Sequence, residues 1–261
     1  KTTFADVPFK TAHSLGSVNS VNWARVLAQT VYYFYSAFRV MKETGASTVQ
    51  FSVPTGNFGD ILAGYLARQM GLPVSRLILA TNENDILSRF FNSGVYGMAG
   101  VVPTISPSMD IQVASNFERY LYYKVGQDAA ALNALMADFS QSGELCVPLN
   151  ASGVIDELFV AGRGDTASTL KTIKRYKDQH GYVLDPHTAV GVFVAEKHLA
   201  ADAPTICLAT AHPAKFTQAI VDATGEEVHH PALDGLIDAE TRCDAIANDV
   251  EAVKKYLVTH I

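Results

Sequence analysis

Residues 48–63, TVQFSVPTGNFGDILA, pass from one structural period to another within a few positions. Val49, Phe51 and Val53 alternate with polar neighbours as in a strand, Pro54 ends the run, and Ile61, Leu62 and Tyr65 resume at helical spacing. A strand that feeds a helix through a tight glycine turn commits this part of the chain to an α/β arrangement. In the turn, Gly56 and Gly59 let the backbone curl without Cβ clashes, so that successive N–H groups can point at one anion. The helix that follows adds its unsatisfied amides and the positive end of its dipole. A phosphate-binding cup is the functional reading, and a plain connection whose glycines only relieve strain is the alternative. Neither standard nucleotide signature fits. A Walker loop needs Lys after its last glycine where this chain has Asp60, and Gly56 and Gly59 are three apart, unlike G-x-G-x-x-G.

The pattern repeats downstream. Gly71 and Pro73 break the chain, 77–80 reads as a second buried strand, and TNENDILSRFFNSG starts a helix with Glu83 and Asp85 in its first turn and Gly94 at its end. Such alternation, with nearly continuous apolar strands, indicates a parallel sheet covered on both faces. Ligands in such sheets sit beyond the carboxyl ends of the strands, where PTGNFGD falls. TICLA at 205–209 is a further strand, and Thr210 at its end either meets the ring of a bound ligand or caps the helix opened by AHPAKF. The loop 96–108, rich in Gly, Pro and Ser, is a candidate lid. Helices at 115–124, 129–142 and 166–180 make the middle of the chain read as an all-helical insertion between strands. Asp185 before Pro186 caps a helix over 187–200, and 246–258 is amphipathic.

Upstream of the turn, 17–45 predicts a long helix with Asn19 or Ser20 as its N-cap and Gly45 at its end. Ala24, Leu27, Val31, Phe34, Tyr35, Phe38 and Met41 share one face, read as the core-facing side, with Asn22, Arg25 and Gln29 left to solvent. The 261 residues are 48% hydrophobic, enough for a large core. Acidic and basic residues, 26 and 20, are interspersed without a basic run, which makes nucleic acid and anionic membranes poor partners. No window approaches the roughly 18 continuous apolar residues of a membrane span. Cys146, Cys207 and Cys243 lie far apart, with no C-x-x-C and no His at zinc spacing, and read as reduced thiols of a cytoplasmic protein without a metal site. The chain opens on Lys1 without Met and reads as part of a longer protein.

FVAGRGDTAS contains two decoys. Gly162, Gly164 and Ala167 match G-x-G-x-x-A before a helix, which favours a dinucleotide enzyme, yet the preceding apolar run is short and no acidic-ended strand follows about 20 residues later. Arg163-Gly164-Asp165 spells an integrin tripeptide and reads as a loop.

Seven blocks in order, NSVNWARVLAQ at 19–29, PTGNFGDILAGYLARQMGLP at 54–73, ATNENDIL at 80–87, SPSMDI at 106–111, SNFERYL at 115–121, DPHTAVG at 185–191 and TAHPAKF at 210–216, resemble threonine synthase of the bacterial and fungal type. The resemblance implies a pyridoxal 5'-phosphate enzyme of the tryptophan-synthase-β group. Its fold would be a three-layer α/β/α with a mostly parallel twisted sheet (fold type II), here incomplete. Residues 1–47 would be the end of a small N-terminal domain with the long core helix. Residues 48–261 would be the large cofactor-binding domain, with a helical insertion at about 112–180 and a C-terminal appendage at about 226–261. The implied reaction converts O-phospho-L-homoserine and water to L-threonine and phosphate.

By the same resemblance, Gly56, Asn57, Phe58, Gly59 and Asp60 hold the cofactor's phosphate and Thr210 meets the pyridine nitrogen, while Ser115, Asn116, Arg119 and His187 contact substrate or close the site. The family's Schiff-base lysine lies in an F-K-D context expected upstream of Lys1, with a Ser/Thr/Gly-rich loop for the substrate carboxylate, and this chain contains neither. Lys10 precedes Thr11 and Lys215 falls in the block that contributes Thr210, so the role passes to neither. The chain alone is expected to be inactive. The competing readings are a non-catalytic remnant that keeps the cup and a related phospho-lyase with another phosphorylated substrate.

Overall fold

The computed structural model describes residues 2–17, 19–236, 239–241 and 243–260. Two short helices, α1 (Thr2–Ala5) and α2 (Val7–Ala12), precede the long α3 (Trp23–Thr44). Strand and helix then alternate through β1 (Val49–Pro54), α4 (Gly59–Gln69), β2 (Val74–Thr81) and α5 (Ile86–Ser93). The middle holds β3 (Val95–Gly97), α6 (Phe117–Lys124), α7 (Ala129–Ser142), β4 (Glu144–Cys146) and β5 (Phe159–Arg163). After it come α8 (Thr166–His180), α9 (Pro186–Ala195), β6 (Thr205–Cys207), α10 (Thr217–Thr224), α11 (Pro231–Asp234) and α12 (Val250–His260).

Four strands form a parallel sheet in the order β5-β2-β1-β6. Central β1 is buried along its whole length, so its polar side chains need partners: the Ser52 hydroxyl donates to the Gly191 carbonyl at 2.7 Å and Gln50 Nε2 to that of Ala203 at 3.4 Å. Alternation sorts the layers. Leu77 and Leu79 of β2 join one cluster with Tyr33, Ile61, Leu62 and Phe90, whereas Ile78 and Ala80 meet Val190 and Val194 of α9. That helix is buried at nine of its ten positions and apolar nearly all round, as a helix inside a layered domain must be.

α3 turns to the core a face its apolar periodicity does not pick out. Val26, Thr30, Tyr33 and Ala37 are buried, whereas Leu27, Val31, Tyr35 and Phe38 are exposed, Val31 by 67%. Close packing decides it: the Tyr33 ring lies so near Gly64 of α4 that a Cβ there would come within 2.7 Å, and its hydroxyl donates to Asp60 Oδ1 at 2.9 Å. The helix cap is Asn22, accepting from Ala24 N at 2.9 Å, instead of Asn19 or Ser20.

Residues 112–180 are not helical throughout. β4 pairs antiparallel with β3, and β5 is an edge strand of the main sheet. Glu83 and Asp85 precede α5. Asp85 pairs with Arg89 at 2.9 Å and Arg163 at 3.2 Å, and Glu83 Oε1 accepts from the Thr166 amide and hydroxyl at 2.8 and 2.9 Å. The loop expected as a lid is pinned by buried polar groups: Asn82 Nδ2 donates to Asp110 Oδ1 at 2.7 Å, Asn84 Nδ2 to the Val102 carbonyl at 2.8 Å, and the Thr104 amide to Asp110 Oδ2 at 2.8 Å.

The chain divides into two compact units, Ser20–His230 and a smaller one made of Lys1–Asn19 with Pro231–Ile261. The division expected after residue 47 therefore falls inside the larger unit, because α3 packs on α4. The C-terminal segment of the smaller unit begins at Pro231. In the smaller unit Asp6 caps α2 through the Phe9 amide at 3.1 Å and pairs with Lys254 of α12 at 2.8 Å.

Candidate functional site

β1 ends at Pro54 and α4 begins at Gly59. The curl between them comes from Phe58, at φ +63°, and from neither Gly56 nor Gly59. A left-handed conformation costs such a residue about 1–2 kcal/mol. Phe58 offsets it by burying its ring among Phe91, Phe117, Tyr120 and Phe159, with centroids 5.6 to 6.3 Å away. The glycines serve close approach instead. A Cβ on Gly56 would stand 2.5 Å from the Ser108 carbonyl oxygen, and one on Gly59 3.3 Å from Asn116 Nδ2. Phe58 also occupies the N-cap position of α4, where it has no side-chain oxygen to offer the first-turn amides. They stay available to an anion.

The turn opens on a cavity of 620 Å³. Residues 54–60 form one wall, Arg25, Gln29, Tyr32, Tyr35 and Ser36 of α3 another, and Ser20 and Ser108 with 208–210 beyond β6 the rest. Asp60 lies at the rim between the first two, its Oδ1 accepting from the hydroxyls of Tyr32 at 2.6 Å and Tyr33 at 2.9 Å. Burial pushes its carboxyl above the ordinary value, against the downward pull of those two hydrogen bonds. Burial first, and the Asp60 charge second, raise both phenols, so they donate and do not ionise.

Of the residues expected at the site, Gly56, Asn57, Phe58, Gly59, Asp60 and Thr210 all line the cavity. Thr210 is not a cap: His212 heads the short 3-10 turn and Phe216 precedes α10. Ser115, Asn116, Arg119 and His187 do not line it but stand behind its walls. The Asn116 backbone amide and Nδ2 both donate to the Asn57 carbonyl, at 3.1 and 3.0 Å, and Ser115 Oγ donates to Asn57 Oδ1 at 3.3 Å. Arg119 donates to Asn116 Oδ1 at 2.5 Å and to the Val21 carbonyl at 2.7 Å. His187 is 4% exposed, and its Nε2 accepts from the Ser108 amide at 3.2 Å.

Sequence reading missed Arg25, Gln29, Tyr32 and Ser36, assigning the first two to solvent. The signal was present, since spacings of four, three and four put all four on one helical stripe. Ser108 gives no such sign, because only the fold brings it to Gly56.

The glycines at 162–164 have a packing role. A Cβ on Gly162 would meet Val194 of α9 at 2.7 Å. Carboxylates already occupy the start of α8, Asp165 on the Ser168 amide at 2.7 Å and Glu83 on that of Thr166 at 2.8 Å, leaving it unsuited to a pyrophosphate. Arg163 and Asp165 of the tripeptide are thus an ion-pair partner and a helix cap. Among the described residues no His, Cys, Asp and Glu cluster could hold a metal ion, and no helix is long and apolar enough to cross a membrane.

Comparison with known proteins points one way. The family described as "Threonine synthase, C-terminal" matches residues 188–257. Threonine synthase of Methylobacillus glycogenes is 44% identical in an alignment 264 positions long that covers 98% of this chain and 55% of the relative. Among solved structures, the PLP-bound threonine synthase of Brucella melitensis superposes with TM-score 0.88 at 46% identity, over 99% of this chain and 56% of that one. The yeast threonine synthase gives 0.85 at 38% identity, over 98% and 55%. The chain thus spans about half the length of the curated relatives it matches.

Proposed function

The chain belongs to the threonine synthase family over the part it spans, with the family's fold type II sheet, and from that premise we propose that it supplies the phosphate-holding and ring-facing walls of a pyridoxal 5'-phosphate site. The reaction served is conversion of O-phospho-L-homoserine and water to L-threonine and phosphate. One observation carries this reading: the glycine turn and Thr210, far apart in sequence, line one cavity.

The first-turn amides of α4 and the turn before it bind the phosphate through N–H groups and the helix dipole. The Thr210 hydroxyl would hold the pyridine nitrogen of the bound cofactor. Being neutral, it leaves that nitrogen less protonated than a carboxylate partner would. When bound, the cofactor supplies the electron sink for elimination and replacement at the substrate's β and γ carbons. Arg25 and Gln29, on the α3 wall, carry N–H donors suited to the substrate's phosphate or carboxylate. Asn116, held in turn by Arg119, fixes the Asn57 carbonyl, and Ser115 fixes the Asn57 side chain, and with them the shape of the cup.

Among the described residues no lysine lines the cavity. We therefore place the cofactor-bearing lysine in the part of the relatives that this chain does not span, and the chain by itself binds without turnover. Titration of the purified chain with pyridoxal 5'-phosphate, followed by competition with inorganic phosphate, tests this. Saturable binding that phosphate displaces is expected, with no borohydride-stable adduct on Lys10 or Lys215. Binding indifferent to phosphate would remove the cup from the account, and a specific adduct on either lysine would overturn the placement of the nucleophile.

A further inference from the structure

Ser108 and Thr210 belong to the same part of the cavity wall but come from separate segments with little regular structure of their own. Ser108 lies in a three-residue 3-10 turn, and Thr210 lies beyond the last paired residue of β6. Both are nevertheless tied to one place, the N-terminus of buried α9. The Ser108 amide donates to His187 Nε2 at 3.2 Å, and the Thr210 amide donates to Thr188 Oγ1 at 3.3 Å. His187 Nδ1 lies 3.2 Å from Asp185 Oδ1, and the Thr188 hydroxyl is bonded to Asp185 Oδ2. The same carboxylate accepts from the backbone amides of His187 at 2.9 Å and Thr188 at 3.3 Å.

The directions of these bonds follow from chemistry. A backbone amide can only donate, so Nε2 of His187 is unprotonated and its ring proton sits on Nδ1, given to Asp185. A carboxylate can only accept, so the Thr188 hydroxyl spends its proton on Asp185 and keeps a lone pair for Thr210. All three side chains are nearly inaccessible, Asp185 at 2% and His187 and Thr188 at 4%. In such surroundings each bond is costly to leave unmade.

We infer that Asp185, His187 and Thr188 form one positioning unit, in which His187 sets the Ser108 wall against the cup and Thr188 sets Thr210 against the cofactor ring. None of the three touches the ligand. The inference rests on the proposed cofactor site for what Thr210 meets, but the two arms separate by ligand. Ser108 abuts Gly56, so the His187 arm acts on the phosphate end. The Thr188 arm acts on the ring end alone.

The test measures dissociation constants of the full chain for inorganic phosphate and for pyridoxal 5'-phosphate. Thr188→Val is expected to weaken pyridoxal phosphate about fivefold, the worth of one hydrogen bond, with phosphate affinity unchanged within about twofold. His187→Leu weakens both ligands. The conservative variants Thr188→Ser and His187→Gln, which keep the acceptors, restore both. Thr188→Val binding pyridoxal phosphate like the wild type, or His187→Gln failing to rescue, overturns the inference.

A ligand-free readout stands apart from the cofactor reading. Nitrogen-15 NMR is expected to show the His187 proton on Nδ1, with the Ser108 amide shifting in His187→Leu and the Thr210 amide in Thr188→Val. A proton on Nε2 overturns the unit whether or not any cofactor binds. A wild-type chain that binds no pyridoxal phosphate, with the two variants showing these shifts, removes the proposed function and leaves the unit standing.

Discussion

Asp60 sets a carboxyl group beside amides suited to an anion, and only its environment makes that tolerable. Burial raises its pKa while Tyr32 and Tyr33 hydrogen-bond its oxygen. Asp60→Asn keeps an acceptor for both phenols and removes the charge, worth on the order of 1 kcal/mol at such a partly screened site. Sulfate, a dianion throughout, is therefore expected to bind Asp60→Asn about fivefold tighter at neutral pH. Wild-type affinity should rise as pH falls through the raised Asp60 value, above 3.8, and the variant should lack that rise. Equal sulfate affinity at every pH would show that the carboxylate does not face the cup. Asp185 has the opposite sign. Burial alone would raise it, but hydrogen bonds from His187 and Thr188 bring it below 3.8. Its stabilising contribution is complete above the unfolded value and is lost as pH falls through the lower folded one. Urea unfolding across the acid range should show the deficit of Asp185→Asn, constant near neutral pH, shrinking below about pH 4. A deficit that does not change with pH would mean that the carboxylate's charge is not what matters.

Elements were legible in the sequence where local chemistry and tertiary packing agree. The strand, turn and helix of 48–63 stood out because Pro54, two glycines and a change of period coincide, and Asp185 before Pro186 announced α9. β3 and β4 were missed because three residues carry too little alternation to register, and the run that becomes β5 read as too short for a central strand because Gly162 interrupts it for the sake of Val194. The turn shows the same limit at finer scale: two glycines suggested the curl, yet Phe58 makes it and Gly56 is there because Ser108 passes 2.5 Å from where its Cβ would be. Gly56→Ala should accordingly cost about 1–3 kcal/mol of stability and abolish phosphate binding, read by thermal unfolding and titration. Near-wild-type values for both would mean that the Ser108 segment gives way freely. In α3 the larger apolar stripe lost to the smaller face because Tyr33 fits over Gly64. Val26→Ala should then cost roughly 2 kcal/mol, and Val31→Ser within about 0.5 kcal/mol of nothing. Reversed costs in urea unfolding would put the helix the other way round.

At the scale of the molecule, every residue that lines the cavity falls between Ser20 and Thr210, and every bond that shapes the cup is made inside the unit Ser20–His230. That unit also owns the four-stranded sheet and the three clusters of buried apolar side chains that clamp it. The smaller unit has short helices with no buried residues of their own, joined by the Asp6 pair with Lys254. Partly exposed pairs of that kind contribute on the order of 1 kcal/mol, too little to hold a fold together. A chain cut to 20–230 is therefore expected to unfold cooperatively and to keep its phosphate affinity within about twofold, whereas 1–19 joined to 231–261 should not fold alone. Circular dichroism melting of both pieces and phosphate titration of the larger one decide it. Loss of cooperative unfolding in 20–230 would mean that the sheet and its clusters are not self-sufficient. Loss of phosphate affinity in a folded 20–230 would mean that residues outside that unit complete the cup.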